Sequence, residues 1–356
     1  MSLFDSMLKS SESLFQDPVA LDFDFLPKVI PYREKEQRYI ATCIKPLMSQ
    51  RTGKNILIHG TPGIGKTAAV RHLFKELEDE TDEIIPIYLN CWQKNTSFKL
   101  IIEICEKLDY KFTHNKKTEE LFEIVKQMLN RKSVVFCFDE VDKLEDLDIL
   151  YMILEQIYRK TIILITNYKE WAVTLDERIR SRLALELLEF RSYNAAEIKG
   201  IMEGRIKYAF VPEVWQEDAL DLAVKKTADL RDVRLGLSLL REAGNLAEDR
   251  ASKKIEVKDI QAAIDKLSDV KIKSPEALKE DEQHILELIK DNSGKKIGDL
   301  FTVYKEKGGE GVYKTFQRKI DFLSRNKFIS TKKQTGGPDG TTTIVKYERE
   351  TKLDEF

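Results

Sequence analysis

A glycine-rich octapeptide at residues 60–67 is the feature that most constrains the fold of this chain. It reads Gly-Thr-Pro-Gly-Ile-Gly-Lys-Thr and directly follows the apolar run 55–59. Glycines let the backbone curl tightly enough for its N–H groups to point inward at an anion. A helix that begins directly after such a turn adds the positive end of its dipole. The segment is typical of a phosphate-binding loop between a buried strand and a helix.

Each residue type in this loop has a place in nucleotide binding. Lys66 reaches the β- and γ-phosphates of a nucleoside triphosphate, and the Thr67 hydroxyl is a ligand for Mg²⁺. The other contacts come from backbone N–H groups. The predicted nucleotide-binding residues of the loop are Gly60, Thr61, Pro62, Gly63, Ile64, Gly65, Lys66, Thr67 and Ala68.

Short apolar runs alternate with helical periodicity from residue 55 to about residue 190. The runs are rich in β-branched or aromatic residues, as expected of strands buried on both faces. They lie at 55–59, 84–89, 134–138 and 161–166, and helical segments lie at 67–80, 96–108, 118–131 and 147–159. This alternation predicts an α/β domain in which helices cover a parallel sheet.

Beyond residue 190 the pattern becomes helical. Apolar residues recur every three or four positions, which predicts an all-helical domain. The helical segments are 194–209, 215–227, 232–250 and 257–268. A short polar stretch with a proline, 270–276, is the predicted linker.

The remaining residues predict three helices and a β-hairpin, the composition of a winged helix. The helices are expected at 281–292, 297–306 and 312–325, and the hairpin strands at 328–331 and 342–347 around the turn 334–340. We therefore expect domains at 1–190, 191–269 and 277–356, with the linker 270–276 before the last.

Composition narrows the possible partners and compartments. The net charge is −2 over 356 residues, so any signal for nucleic acid must be local. No apolar stretch reaches the roughly 18 residues that a membrane span needs, and the acidic N-terminus does not resemble a secretory signal. The four cysteines lack paired spacing, which predicts neither a zinc site nor disulfides. We expect a cytoplasmic protein without a membrane partner.

Polar residues follow two of the buried runs. Asp139 and Glu140 come directly after 134–138, and Asn167 follows 161–166. Because the carboxyl ends of parallel strands open onto one crevice, these side chains should meet beside the loop. We expect Asp139 to hold Mg²⁺, Glu140 to take the proton of the attacking water and Asn167 to orient that water. The alternatives are a helix-capping pair and a turn residue.

Arginines in two segments of the chain are candidates for contact with the γ-phosphate of a nucleotide. Arg178, Arg180 and Arg182 lie close together, and only Arg182 stands in a Ser-Arg-apolar arrangement, so it is the first candidate to act on a neighbouring subunit's nucleotide. A solvated face explains these arginines equally well. In the helical domain, Arg234 lies in the first turn of a helix, where the dipole disfavours a cation. That misfit suggests that Arg234 serves the γ-phosphate.

The ordered set of glycine-rich loop, Asp-Glu strand end, Asn, Ser-Arg element and lid arginine resembles an AAA+ ATPase. Further segments resemble the archaeal origin-recognition initiators, relatives of the largest eukaryotic origin recognition complex subunit and of its helicase-loading partner. The resemblance spans about residues 14–350. Its segments are 26–27, 32–34, 88–91, 138–144 and 232–234.

The resemblance implies an AAA+ core with a five-stranded parallel sheet, an all-helical lid and a C-terminal winged-helix domain. It implies that ATP or ADP binds with Mg²⁺, that weak hydrolysis acts as a switch, and that Tyr32 and Arg33 contribute to the nucleotide site. The implied partners are double-stranded origin DNA, the replicative helicase and paralogous initiators on neighbouring sites, for a nucleoid-associated protein.

Two residues depart from the family pattern, and one family element is hard to place. Tyr32 stands where members often have His, and Arg231 stands where they often have Gly. Tyr32 is still expected to pack near adenine. The family's helical insertion, which touches DNA, is expected near residues 108–117.

The predicted winged helix is strongly basic. Residues 295–347 hold twelve Lys or Arg against five Asp or Glu, a balance of +7, which is the footprint of a phosphate-binding surface. The third helix carries an apolar stripe for the core, formed by Val312, Phe316, Ile320 and Leu323. The N-terminal half of such a helix enters the major groove. The predicted DNA-binding residues are Lys314, Gln317 and Arg318 on the helix and Lys332, Lys333 and Gln334 at the hairpin tip.

These features suggest an ATP-dependent replication initiator that recognises origin DNA and helps to recruit the replicative helicase. An alternative is a clamp-loader-like or transposition-helper ATPase whose winged helix docks a protein, for which fast, protein-stimulated hydrolysis would be diagnostic. A third is a signalling ATPase that holds ADP and makes no use of Arg182 on a neighbour.

Overall fold

A five-stranded parallel sheet lies at the centre of the first of two structural units. The computed structural model describes residues 13–271, 280–309, 311–325, 328–337 and 340–347, and the units divide between Lys266 and Leu267. The strands are β1 (Ile56–His59), β2 (Ile84–Asn90), β3 (Ser133–Asp139), β4 (Lys160–Thr166) and β5 (Glu186–Glu189). Their order is β2-β3-β4-β1-β5, with every neighbouring pair parallel. The predicted five-stranded parallel sheet is confirmed.

Helices cover both faces of this sheet. They are α1 (Glu34–Ile44), α2 (Lys66–Glu80), α3 (Ser97–Lys107), α4 (Thr118–Leu129), α5 (Asp148–Gln156) and α6 (Glu177–Leu183). In β3, Phe136 and Phe138 point into the core that contains α3, α4 and α5, whereas Val135 and Cys137 point toward α1 and α2. Burial on both faces explains why β3 is continuously apolar.

Four helices form the lid that follows the sheet. They are α7 (Ala195–Ala209), α8 (Glu217–Leu230), α9 (Val233–Asp249) and α10 (Val257–Lys271). α7 begins at a capping box, in which the Asn194 side chain accepts from the Glu197 N–H and the Glu197 side chain accepts from the Asn194 N–H. α10 continues through Lys271, so the start of the predicted linker is helical, and its residues 272–276 lie outside the described residues.

The N-terminal segment is fastened to the lid. Phe15 forms a β-bridge with Phe210, and their rings lie 4.6 Å apart. The Arg205 guanidinium of α7 donates to the Ala20 and Phe25 carbonyls, and Arg241 of α9 forms an ion pair with Asp22. This segment therefore belongs structurally to the lid, although it precedes the sheet in sequence.

The second unit contains three helices and a hairpin, as the winged-helix prediction requires. Its elements are α11 (Glu280–Asp291), α12 (Ile297–Glu306), α13 (Tyr313–Arg325), β6 (Ile329–Gly337) and β7 (Gly340–Tyr347). Phe316, Ile320 and Leu323 of α13 are buried in one core with residues from α11, α12 and both strands. Val312 was wrongly placed in that apolar stripe: it precedes α13 and is 66% exposed. Phe322 of α13 is 43% exposed.

Two local predictions were wrong. Residues 108–117 form a loop between α3 and α4 instead of a helix, with left-handed backbone at Asp109 and Asn115. In the hairpin, Lys332, Lys333 and Gln334 do not form the tip, because they pair with Ile344, Thr343 and Thr342 inside the ladder. Strand pairing reaches Gly337 opposite Gly340, so the glycine-rich residues confine the turn to a shorter segment than 334–340. No helix among the described residues is long and apolar enough to cross a membrane.

Candidate functional site

The glycine-rich loop joins β1 to α2 and takes a conformation that its glycines permit. Gly63 and Gly65 have φ of +73° and +88°, in the left-handed region that other residues rarely adopt. α2 begins directly at Lys66, so its first N–H groups face the space enclosed by the loop. The chain there forms an anion-binding concavity at the carboxyl edge of the sheet.

Lys66 is held inside this concavity by three oxygen atoms. Its Nζ donates to the carbonyls of Gly60 at 2.7 Å and Thr61 at 2.9 Å, and to Asn167 Oδ1 at 2.8 Å. Burial lowers the pKa of the Lys66 ammonium to about 8. The lysine is thus desolvated beside the carbonyl groups of its own loop, where a phosphate would stabilise its charge.

Asp139 lies at the end of β3 and is only 3% exposed. Its Oδ2 accepts hydrogen bonds from the Thr67 hydroxyl and the Tyr88 hydroxyl, both at 2.7 Å, and its Oδ1 accepts from the Glu140 N–H at 3.0 Å. A hydroxyl and a carboxylate side by side form the oxygen-only donor set that Mg²⁺ prefers. Thr67 and Asp139 therefore fit a magnesium ion beside the loop.

Glu140 follows Asp139 in a left-handed conformation, with φ of +54°. Burial and the neighbouring carboxylates of Asp139 and Asp142 raise the pKa of Glu140. The Asn167 side chain donates to Glu140 Oε2 at 3.2 Å while its own oxygen accepts from Lys66. Asn167 therefore links the phosphate-binding lysine to the candidate general base.

The lid contacts the loop directly. The Val233 N–H of α9 donates to the Gly63 carbonyl at 3.2 Å. Asp232 caps α9 by accepting from the Arg234 N–H at 2.9 Å, and the Arg234 guanidinium stays within 3.4 Å of the same carboxylate. Arg231 ends α8 with φ of +52°, a conformation that glycine adopts at lower cost.

A cavity of about 530 Å³ lies between the loop, the sheet and the lid. That volume falls in the range of small-molecule sites. Its polar end includes loop residues 62–68, Asp139, Glu140, Asn167 and Arg234. Its apolar part is lined by Leu26, Ile30, Ile201 and Leu237, from the N-terminal segment and the lid. The cavity has one end suited to phosphates and a larger part suited to a flat apolar group.

Arg33 lies behind the loop and outside the set of described residues that line the cavity. It is fully buried, donates to the carbonyls of Ile64 at 2.9 Å and Arg191 at 2.6 Å, and stacks on Tyr193 at 3.9 Å. The hydroxyl of Tyr32 lies against Gly200 of α7, also outside that lining. Arg33 thus positions the loop from behind, and Tyr32 packs on the lid.

Arg182 also lies away from this chain's own cavity. On α6 its Nε forms an ion pair with Glu155 Oε1 at 2.7 Å, and its guanidinium lies 5.2 Å from the Tyr151 ring centroid. Arg178 and Arg180 are exposed on the same helix. A role for Arg182 on a second subunit would require the ion pair with Glu155 to open.

The candidate DNA-binding residues lie in the second unit. Lys314, Gln317 and Arg318 are exposed on α13, away from its buried stripe, and Lys332 is exposed on β6. For Lys333 and Gln334 the structure gives the strand position only. The helix face is thus accessible, whereas the three β6 residues lie along the hairpin and not at its end.

The sequence prediction missed Tyr88. Tyr88 lies two residues before Asn90 on β2, the strand next to β3, so the side chains of Tyr88 and Asn90 point to the same face of the sheet. This spacing is the sequence signal that could have identified Tyr88. Both residues line the cavity. A tyrosine in a buried strand beside a predicted magnesium carboxylate needs a hydrogen-bond partner, and Asp139 is the partner within reach.

Two known protein families match this chain. Residues 49–169 match the AAA domain, and residues 199–265 match the Cdc6 AAA+ ATPase-type lid domain. ORC1-type DNA replication protein 2 of Methanosarcina acetivorans is 29% identical, over 97% of this chain and 97% of its own. ORC1-type DNA replication protein 1 of Archaeoglobus fulgidus is 30% identical, over 91% of this chain and 84% of its own.

The structure has matching relatives as well. The ORC1 protein of Aeropyrum pernix, solved in complex with DNA, gives a TM-score of 0.78 at 26% identity and covers 95% of each chain. Cdc6p of Pyrobaculum aerophilum shares the fold, with a TM-score of 0.65 at 18% identity. Sequence, lid and fold agree, and the chain belongs to the family of ORC1-type DNA replication proteins, the archaeal initiator ATPases of the AAA+ superfamily.

Proposed function

We propose that this protein is an ATP-dependent initiator that recognises origin DNA and helps to recruit the replicative helicase. The observation that carries the proposal is the contact between the phosphate-binding loop and the lid, from the Val233 N–H to the Gly63 carbonyl, beside a cavity that Arg234 lines. A triphosphate there would touch both elements. Its presence would therefore favour the arrangement in which the lid is closed.

ATP or ADP would be held by residues of both parts of the first unit. The loop N–H groups and Lys66 would bind the phosphates, and Arg234 would reach the γ-phosphate from the lid. Thr67 and Asp139 would hold Mg²⁺, which neutralises charge on the phosphate oxygens. The apolar cavity wall formed by Leu26, Ile30 and Ile201 suits the base.

Hydrolysis would be weak and would act as a timer. Glu140 would take the proton of the attacking water, and Asn167 would orient that water. In the observed arrangement Asn167 donates to Glu140 and accepts from Lys66, so both catalytic groups are occupied with each other. Arg182 of a neighbouring subunit, such as a paralogous initiator, would complete the site after leaving Glu155.

Duplex DNA would be bound by the C-terminal domain. We place the domains in chain order as a core at 1–190, a lid domain at 191–269, a linker at 270–276 and the C-terminal domain at 277–356. The exposed face of α13 with Lys314, Gln317 and Arg318 would enter the major groove, and the basic strand β6 with Lys332, Lys333 and Gln334 would contact the backbone. The local charge balance of +7 over residues 295–347 supports phosphate binding.

The test is duplex binding with ATP, with ADP and without nucleotide, over a salt series. Genomic fragments of the source organism captured by the ATP-bound protein supply the specific duplex, and a shuffled duplex is the control. We expect tighter binding of the captured fragment with ATP and a linear fall of log affinity with log salt. An absent or salt-insensitive affinity would contradict the DNA-binding function.

A further inference from the structure

Tyr88 is a tyrosine of the central sheet whose hydroxyl lies in the candidate metal site. It stands on β2, paired in register with Cys137 of β3, and lines the cavity. The Arg71 guanidinium of α2 lies 5.8 Å from its ring centroid. Because the strand and this neighbour both restrict the ring, the hydroxyl occupies a position that the rigid part of the fold determines.

The hydroxyl of Tyr88 donates to Asp139 Oδ2 at 2.7 Å. The same oxygen accepts from the Thr67 hydroxyl at 2.7 Å, and the other carboxylate oxygen accepts from the Glu140 N–H at 3.0 Å. These donors come from three places: the neighbouring strand, the loop helix and the residue after Asp139. Together they fix both the rotation and the tilt of a carboxylate that is 3% exposed.

The donors differ in how they depend on the nucleotide. Thr67 lies in the phosphate-binding loop and would itself contact Mg²⁺, so its geometry changes with the ligand. Tyr88 stands on β2, outside the loop, so its hydrogen bond would hold Asp139 in one orientation both with and without the nucleotide. An oriented carboxylate binds a metal ion more tightly than one that must first be ordered.

We propose that Tyr88 is a positioning residue that orients Asp139 for Mg²⁺ and so sets the magnesium concentration at which the protein retains ATP. The inference rests on the proposed function. It does not make Tyr88 a metal ligand, because its hydroxyl donates its proton to the carboxylate oxygen. Its effect should appear in the Mg²⁺ dependence of nucleotide binding and not in the metal-independent affinity.

The test replaces Tyr88 with Phe in the full-length protein and titrates Mg²⁺ at fixed ATP. Tyr39→Phe is the matched control, because the Tyr39 hydroxyl also donates to a carboxylate, Glu186 Oε2 at 3.0 Å, at the surface of α1. We expect the Mg²⁺ midpoint of Tyr88→Phe to rise about tenfold, as for other residues that orient metal ligands. The midpoint of Tyr39→Phe and the ATP affinity of Tyr88→Phe in EDTA should stay at wild-type values.

A double-mutant cycle with Asp139→Asn tests whether Tyr88 acts through that carboxylate. In the Asp139→Asn background, Tyr88→Phe should leave the midpoint unchanged, and independent, multiplying effects would overturn the proposal. Tyr88→His, which returns a ring N–H donor, should recover part of the Mg²⁺ response and covers the case in which Tyr88→Phe fails to fold.

The outcomes separate this inference from the function on which it rests. A wild-type protein that responds to Mg²⁺ while Tyr88→Phe has the same midpoint overturns only the role of Tyr88. A wild-type protein that retains no ATP at any Mg²⁺ concentration overturns the proposed function, and the role of Tyr88 with it.

Discussion

At the scale of single residues, the charged groups of the site are hydrogen-bonded to one another and to the loop carbonyls. Lys66 is bonded to Gly60, Thr61 and Asn167, and Asn167 also bonds Glu140. A triphosphate would compete with the loop carbonyls for the ammonium group. Its arrival would also free Asn167 and Glu140 to take up a water molecule.

The lowered pKa of Lys66 predicts a pH-dependent nucleotide affinity. The ordinary value is 10.5 and that in the free protein is about 8. Bound phosphates favour the protonated amine and raise the pKa, so the affinity is fully present below pH 8 and falls as the pH rises through that value, by up to about tenfold per unit. Equilibrium ATP binding between pH 7 and about pH 9.5 measures this. Lys66→Arg, which stays charged, should show a flat profile, and a flat wild-type profile would refute the expectation.

Replacement of Glu140 should separate binding from hydrolysis. Glu140→Gln keeps the size of the side chain and its link to Asn167 but cannot accept the proton of the attacking water. We expect single-turnover hydrolysis to slow by about 10²-fold or more, with ATP affinity within about twofold of wild type. Equal turnover by the two proteins would remove Glu140 from the role of general base.

At the scale of elements, the lid and the loop fit so closely that a methyl group on Gly63 would force the Asp232 side chain to move. A Cβ on Gly63 would overlap the Asp232 carboxylate at the start of α9, and φ of +73° adds backbone strain. The N-terminal segment is bonded to α7 and α9 of the lid. A shift of the lid would therefore also disturb the cavity wall at Leu26 and Ile30.

Gly63→Ala should therefore weaken ATP binding by about tenfold or more, because it disturbs the contact between lid and loop and each 1.4 kcal/mol of binding free energy is a factor of about ten. Hydrogen exchange at the Val233 amide, which donates to the Gly63 carbonyl, should become faster. Gly298→Ala is the control, because its Cβ would meet no atom within 4 Å. If Gly63→Ala binds ATP as Gly298→Ala does, the closed lid is not needed for binding.

Most of the strands, helices and phosphate-site residues could be predicted from the sequence. The buried strands β1 to β4 and the lid helices follow from apolar periodicity, whereas β5 has no continuous apolar run because Glu186 and Glu189 lie partly or fully exposed at the sheet edge. The phosphate-side residues followed from motif order. The position of Arg33 behind the loop and the contact of Tyr88 did not, because both depend on distant segments: Arg33 contacts Arg191 and Tyr193, and Tyr88 contacts Asp139.

At the scale of the whole molecule, the proposed nucleotide site lies in the first unit and the proposed DNA-binding face lies in the second. Charge supports this division, because the chain carries −2 overall while residues 295–347 carry +7. Phosphate contacts contribute to the affinity for DNA of any sequence, whereas base contacts contribute only to the affinity for the recognised DNA sequence. The two kinds of contact on α13 can be told apart by mutation.

Removal of one phosphate contact should reduce the salt dependence of DNA binding by a fixed amount. For Lys314→Ala and for Arg318→Ala, we expect weaker binding and, where the side chain contacts a phosphate, a slope of log affinity against log salt that is shallower by about 0.9. Where the side chain contacts a base, its removal should instead reduce the discrimination between the captured and shuffled duplexes. Lys75→Ala, on the exposed face of α2, should change neither. If all three variants match wild type, α13 is not the DNA-binding face.

Equilibrium binding of ATP with Mg²⁺ to the purified protein and to Lys66→Ala shows whether this site holds a nucleotide. Both the switch and the regulated DNA binding depend on a nucleotide that loop and lid hold together. We predict saturable, one-to-one retention by the wild type and a loss of about tenfold to a hundredfold in affinity for Lys66→Ala, because a charged hydrogen-bond donor to the phosphates is removed. Equal retention by both proteins, or none by either, would contradict nucleotide binding by this loop.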